Sequence, residues 1–346
     1  MERIGIAYIG NGKSTNRYHA PFALALPGRF RIVSVLDRHA GTGRPPAWDP
    51  IPGVTYTADL DRVLADPEVR VVEVCTPAAH HVSYARQALE AGRHVVVDKP
   101  FSATEAEAVG LFHLASRRGV TIQCYQNRRF DSDYLTARQV FEDGRLGTVF
   151  EVVTSYDYFR PHMMDGVGFD PVENAAYGHA SHCLDQLISW FGAPDRVRSE
   201  LRQLSGPGGA IDYFDYDLFY EERGIRAIAR ANYRSALPRP SFELYGSAGA
   251  YIKREKDQQE RDLKRFYLPV GHDDFGLDAP EQFGTLRFHD DEGVHEERVP
   301  SVRSCYTSFY EALYETVVHG APQLVRPEET IAQMRILEQS VARLAG

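Results

Sequence analysis

The chain has 346 residues, 43% hydrophobic and 25% charged, which is enough for two domains of ordinary globular composition. Its 39 Lys and Arg against 48 Asp and Glu give a net charge of −9, which argues against nucleic acid or an anionic membrane as partner, since both call for clustered cations. No apolar run reaches the ~20 residues of a membrane span. The cysteines Cys75, Cys124, Cys183 and Cys305 lack CxxC spacing and the opening residues lack a leader pattern, so reduced thiols, no metal site, no secretory signal and a cytoplasmic location are expected.

Through residue 125 two periodicities alternate. RIGIAYIG, RIVSVLD, VRVVEVCTP, HVVVDKP and VTIQCYQ read as strands, while TADLDRVLAD, AAHHVSYARQALEAG and SATEAEAVGLFHLASRRG read as helices. Gly92 and Gly119 stand where helix C-terminal caps belong. Strands rich in valine, alternating with helices, predict a parallel sheet covered on both faces. Glu73 puts a carboxylate in the middle of one such strand, and the sequence offers no partner for it.

Beyond residue 126 the texture changes. DSDYLTARQVFEDGRLG predicts a helix with an Asp or Ser cap and a glycine stop. Longer alternating runs follow: TVFEVVTSYDYF, RVRSELRQL, YFDYDLFYEE, IRAIARANYRS and SFELYGSAGAYIK. Aromatic and β-branched residues alternating with polar ones predict a mainly antiparallel sheet with one face covered. ETIAQMRILEQSVARL closes the chain as an amphipathic helix. The reading is an α/β domain over 1–125 and an α+β domain over 126–346, with the site in the cleft between them.

The stretch Gly10, Asn11, Gly12, Lys13, Ser14 and Thr15 follows the first strand and opens a helix. Gly10 and Gly12 match the first two glycines of GxGxxG, with Thr15 at the third place. Such a turn lets backbone N–H groups and a helix N-terminus meet a pyrophosphate. The second strand ends at Asp37, where a carboxylate can accept from a ribose 2′-OH and repel a 2′-phosphate. That pattern points to NAD; Arg38 and His39, next in the chain, keep NADP open. In an open parallel sheet ligands bind beyond the carboxyl ends of the strands, so Lys99, at the end of HVVVDKP, is expected at the cleft rather than in the core. Partial desolvation would lower its pKa toward a working pH, and Asp98 beside it can steady the charge or touch the cofactor.

HVVVDKP resembles the EKP motif of the Gfo/Idh/MocA oxidoreductases. IGNGKSTNRYHAPF is similar to that family's first turn, and VCTPAAHH to its TP…H motif, which marks Thr76, Pro77 and His80 as cofactor residues. YQNRRFDSDYLTARQVFEDGRLG, SYDYFRP, SHCLDQLISWFG and YIKREKDQQE resemble the branch that holds scyllo-inositol dehydrogenases. The resemblance covers almost the whole chain. It implies a Rossmann domain followed by a domain with a large open sheet, hydride transfer between a nicotinamide cofactor and a sugar or cyclitol, and pairing into homodimers or homotetramers through that sheet. It also implies that Lys99 and His182 sit beside the reacting carbinol.

His182, Asp185 and Gln186 fall near one helix face, so Asp185 can orient His182. Where the family carries an aspartate four residues before that histidine, this chain has Gly178. Either Lys99 and His182 handle the proton alone, or Asp185 or another group substitutes, or the site is impaired. The last case matches a second reading, a non-catalytic dinucleotide-dependent sugar sensor. Asn127, Arg128, Tyr158 and Arg160 are the further candidates for substrate contact, the last two on the first strand of the second domain.

Overall fold

The computed structural model describes residues 2–43, 48–303 and 305–345. The chain forms two compact units. The first comprises residues 1–126 with 260–275 and 306–334; the second comprises 127–259, 276–305 and 335–346.

The first unit is built on six strands: β1 (Ile4–Ile9), β2 (Phe30–Leu36), β3 (Thr55–Thr57), β4 (Val69–Val74), β5 (His94–Val97) and β6 (Ile122–Cys124). Their order is β3-β2-β1-β4-β5-β6, and all neighbours run parallel. Every residue of β1 is buried, as a sheet covered on both faces requires. The order reverses between β1 and β4, which is where ligands enter a doubly wound sheet. The helix Glu105–Arg118 shows how local sequence sets an element. Thr104 accepts from the Glu107 amide at 3.2 Å, the Glu107 carboxylate accepts from the Thr104 amide at 3.1 Å, and Gly119 ends the helix at φ 66°.

The second unit holds β7 (Val149–Ser155), β8 (Arg196–Arg202), β9 (Tyr213–Tyr220), β10 (Ile225–Asn232), β11 (Phe242–Gly246), β12 (Gly249–Lys253), β13 (Gly284–Asp290) and β14 (Gly293–Val299). The order is β14-β13-β12-β11-β7-β10-β9-β8. All neighbours are antiparallel except β7 and β10, which run parallel: after β7 a helical excursion carries the chain to the edge strand β8, and the antiparallel run β8-β9-β10 brings it back beside β7. The helices Ser132–Glu142 and Ser181–Phe191 pack on one face. The other face carries ion pairs, among them Arg226–Asp217 at 2.6 Å and Arg230–Glu243 at 2.9 Å.

Two local expectations change. Asp131 precedes the helix Ser132–Glu142, but its side chain makes no cap; it accepts from Arg128 at 3.1 Å instead. The strand expected to carry Tyr158 and Arg160 ends at Ser155, although the amides of Tyr156, Tyr158 and Arg160 go on donating to the carbonyls of Arg230, Asn232 and Tyr233. No helix among the described residues is long and apolar enough to cross a membrane.

Candidate active site

At the carboxyl ends of β1, β2 and β4 lies a cavity of about 400 Å³. Gly10, Asn11, Gly12, Asp37, Arg38, Thr76, Pro77 and His80 line it, together with hydrophobic and aromatic groups such as Leu36 and Tyr84. Gly10 is held at φ 112°, and a Cβ there would stand 2.8 Å from the Cys75 carbonyl oxygen, so the turn needs glycine. At Gly12 the same atom would meet nothing within 4 Å, because that residue faces open space.

Asp37 accepts from Asn11 Nδ2 at 3.0 Å and from the His39 amide at 2.9 Å. Burial pushes its pKa up, but these donors and the charges of His39 and Arg38 outweigh it and hold the carboxyl below its usual range. The wall that would face a ribose therefore carries a settled negative charge. A glycine turn with an ionised carboxylate on the next strand fits a dinucleotide without a 2′-phosphate.

Lys13, Ser14, Thr15, Asp98 and Lys99 do not line this cavity. Lys13 is exposed. The Thr15 hydroxyl donates to the Gly10 carbonyl at 2.6 Å and braces the turn from below. Ser14 donates to Asp98 Oδ2, and Asp98 Oδ1 accepts from the Lys99 amide at 2.7 Å. Lys99 is half-buried and joined to Pro100 by a cis peptide bond. His81 rather than His80 is the structural member of its pair. Its ring nitrogens lie 2.7 Å from the Pro100 carbonyl and 2.8 Å from that of Thr76, strapping one strand end to the next, while His80 is exposed on the cavity.

Beneath the turn, Glu73 finds its partners. Its Oε2 lies 2.7 Å from His19 Nδ1 and accepts from the Tyr310 hydroxyl at 2.9 Å. His19 and Glu73 are fully buried, and Asp98 Oδ2 lies 3.7 Å from His19 Nε2. Sequence reading assigned no role to His19 or Tyr310, since their link to Glu73 exists only in three dimensions.

The second unit gathers the other candidates on and around the helix Ser181–Phe191. His182 is 6% exposed, and its ring lies 6.4 Å from that of Tyr156, nearly parallel to it. Both oxygens of Asp185 accept from Arg129, at 2.8 and 2.7 Å. The structure thus pairs Asp185 with a guanidinium, a bidentate match that its spacing from His182 does not reveal. Gln186 donates to the Arg128 carbonyl at 2.8 Å, which fixes the turn Asn127–Phe130 on that helix. His179 Nδ1 contacts the Tyr233 hydroxyl, Tyr158 packs edge-on against Tyr233, and the Arg160 guanidinium sits 3.7 Å over the Tyr158 ring.

Lys256, also missed in the sequence, puts its Nζ 3.3 Å over the Tyr156 ring and donates to the Ser155 carbonyl at 2.5 Å. Burial is the main reason its pKa is lowered, against the pull of Asp133. Burial likewise pushes neighbouring Asp257 up to about 7, although Ser132 and Gln259 donate N–H groups to it. Gly178 has no positive φ, and a Cβ there would meet nothing within 4 Å, so the backbone does not demand glycine at that position. Donors, rings and an imidazole on one helix and its neighbouring segments can hold a polyhydroxylated molecule and accept a proton from it.

Comparison with known proteins agrees with this geometry. Residues 4–126 match the family model described as "Oxidoreductase family, NAD-binding Rossmann fold", and residues 134–252 match the "GFO/IDH/MocA C-terminal domain". The chain is 41% identical to the uncharacterized oxidoreductase YhhX of Escherichia coli, over 97% of this chain and 95% of that one. It is 28% identical to the scyllo-inositol 2-dehydrogenase (NADP(+)) IolW of Bacillus subtilis, over 99% and 94%. The crystal structure of an oxidoreductase from Bacillus cereus superimposes with a TM-score of 0.89 at 35% identity, covering 98% of this chain and 96% of the other.

Proposed function

Because the chain belongs to the Gfo/Idh/MocA oxidoreductase family, we propose that it is an NAD-linked dehydrogenase acting on a hydroxyl or keto group of a sugar or cyclitol. The observation that carries this reading is the cavity at the ends of β1, β2 and β4, with its glycine turn and the ionised Asp37. When bound, the dinucleotide supplies the hydride acceptor. The chain's own task is the hydroxyl proton, which is too tightly held to leave without a base. Lys99 and His182 take that task, one accepting the proton and the other polarising the oxygen. Asp185, tied to Arg129, anchors the helix that carries His182. Asn127, Arg128, Tyr158 and Arg160 hold the remaining hydroxyls. NAD is the expected cofactor, with NADP, the cofactor in the name of IolW, as the alternative.

The same proposal assigns dinucleotide binding to 1–125, and substrate binding and self-association to 126–346. The expected state is a cytoplasmic homodimer or homotetramer paired through the eight-stranded sheet.

Gly178 favours a second reading, a dinucleotide-dependent sugar sensor without turnover, because the site lacks the family carboxylate for no backbone reason. One experiment separates the two. NAD and NADP are titrated against the pure protein, and inositols and hexoses are then screened for absorbance at the reduced nicotinamide band. Turnover of any of them supports the dehydrogenase. Tight dinucleotide and polyol binding without turnover over a broad pH range leaves the sensor.

A further inference from the structure

We infer that His19 is a positioning residue: a buried imidazolium clamped between Glu73 and Asp98 that locks the glycine-turn helix to the strand end carrying Lys99. The inference rests on the reading of Lys99 as a proton-handling group, and goes beyond it by naming what holds that group in place.

Geometry makes the case. The short helical segment Ser14–His19 directly follows the glycine turn. Asp98 meets both of its ends: Ser14 donates to Asp98 Oδ2, and His19 Nε2 lies 3.7 Å from the same oxygen. The other Asp98 oxygen accepts from the Lys99 amide at 2.7 Å, and the Asp98 amide donates to the Val74 carbonyl at 3.0 Å. Asp98 thus joins the turn helix and the start of the DKP segment through its carboxylate, and β4 through its amide.

What holds that carboxylate is His19. Its Nδ1 faces Glu73 Oε2 at 2.7 Å, and an ionised carboxylate only accepts, so that nitrogen must carry a proton. Its Nε2 faces a second carboxylate at ion-pair distance. That separation is ion-pair range and longer than a hydrogen bond, so the inferred state is the one with hydrogen on both ring nitrogens, a cation with a carboxylate on each side.

Titratable side chains packed on the ring from other elements include Tyr8, Tyr310, Cys75 and Tyr125. Tyr8 on β1 and Tyr310 on the helix Thr307–His319 have pKa values raised chiefly by burial and stay neutral; burial also raises the Cys75 thiol after β4, against the pull of His19. Tyr125, after β6, stacks on the ring with centroids 3.9 Å apart and donates its hydroxyl to the Tyr18 carbonyl at 2.6 Å. Burial disfavours the imidazolium, but Cys75, Asp98 and Glu73 beside it outweigh that and raise the His19 pKa well above its ordinary value.

The test uses the full chain labelled with ¹⁵N-histidine. The His19 resonances are identified by their loss in His19→Gln. Both ring nitrogens should remain protonated at pH 8, with two slowly exchanging N–H protons. A single protonated nitrogen at pH 7, or an ordinary titration near pH ~6.5, overturns the inference.

A second arm measures His19→Gln on a polyol that the wild type oxidises. Here kcat should fall by about tenfold to a hundredfold, the scale of a misplaced catalytic group, with KM and the NADH dissociation constant changed little. Loss of NADH binding in parallel with kcat would mean a merely structural role. Should His19→Gln not fold, Glu73→Gln takes its place. It keeps an oxygen for Nδ1 and the Tyr310 contact, and should bring the His19 titration down into a measurable range; an unmoved titration contradicts the clamp. If wild type turns over no polyol, the dehydrogenase reading fails, and the nitrogen spectra still decide the state of His19.

Discussion

In the first unit a single imidazole faces two carboxylates, at 2.7 and 3.7 Å. In the second unit several buried carboxylates have a cation of their own: Arg128 with Asp131 at 3.1 Å, Arg129 with Asp185 at 2.7 Å, Lys253 with Asp278 at 2.7 Å. The two arrangements satisfy the same electrostatic need, since a charge taken out of water must be matched. They differ in what pH can do to them. A guanidinium keeps its proton throughout the working range, whereas an imidazole can lose it. The second unit is therefore wired as a fixed frame, and the first, where the dinucleotide belongs, has its charge balance resting on one titratable ring.

The sharpest way to break the fixed frame is Arg129→Met. It removes the guanidinium that donates to both Asp185 oxygens and should cost about 3–5 kcal/mol, read from urea unfolding. The loss should be the same at pH 7 and pH 9, because neither member of the pair titrates there. A cost that changes between those values would mean that the pair is not what holds Asp185.

The next effect is the pH dependence itself. The His19 pKa is raised in the folded state, so its contribution to stability is full below the unfolded value of ~6.5 and is lost as pH rises through the folded value. Asp98 is depressed: burial opposes its charge, but His19, Lys99 and Ser14 outweigh that. Its contribution is present above ~3.9 and is lost as pH falls through the folded value. Lys256, in the second unit, works in the opposite sense to His19. Its pKa is lowered by burial, so ionisation there costs stability that is recovered as pH rises toward ~10.4. Hydrogen exchange between pH 8 and 10, above the range where the raised Asp257 titrates and corrected for intrinsic rates, should show peptides of the first unit losing protection while those of the second do not. His19→Gln should flatten the first trend. Parallel loss in both units would contradict the contrast.

The smallest expected effect concerns the cavity wall. Asp37→Ser removes the carboxylate that Asn11 and the His39 amide hold in place. It should weaken NAD and shift the NAD-to-NADP affinity ratio by about tenfold, equal to ~1.4 kcal/mol. A wild-type protein that prefers NADP to NAD by that much would transfer the selecting role to Arg38.

Much of the first unit could be read from the chain because its signals are local. Valine-rich runs mark β1, β2, β4, β5 and β6, and glycine caps mark helix ends. The three-residue strand β3 at Thr55–Thr57 is too short to show a period, and the helix Thr307–His319 belongs to the first unit although it lies some 180 residues beyond β6. Glu73 shows the limit most plainly. Its partners stand 54 and 237 positions away, so no spacing rule reaches them. Asp185 shows a partner that local spacing does not reach. Local helical spacing suggested His182 as the neighbour to orient, while a guanidinium 56 positions earlier takes both oxygens. Lys256 went unassigned for a related reason: a lysine in a run of charged residues reads as a solvated face, and only the fold lays it over the Tyr156 ring.

The proposed proton-handling role of Lys99 has one direct test. Lys99→Met keeps the length of the stem and removes the amine, so it should leave the NADH dissociation constant and the melting temperature near those of wild type. On a polyol that the wild type oxidises, kcat should fall by ~10²-fold or more, the scale of a lost acid or base. Near-normal turnover by Lys99→Met on that polyol would contradict the claim.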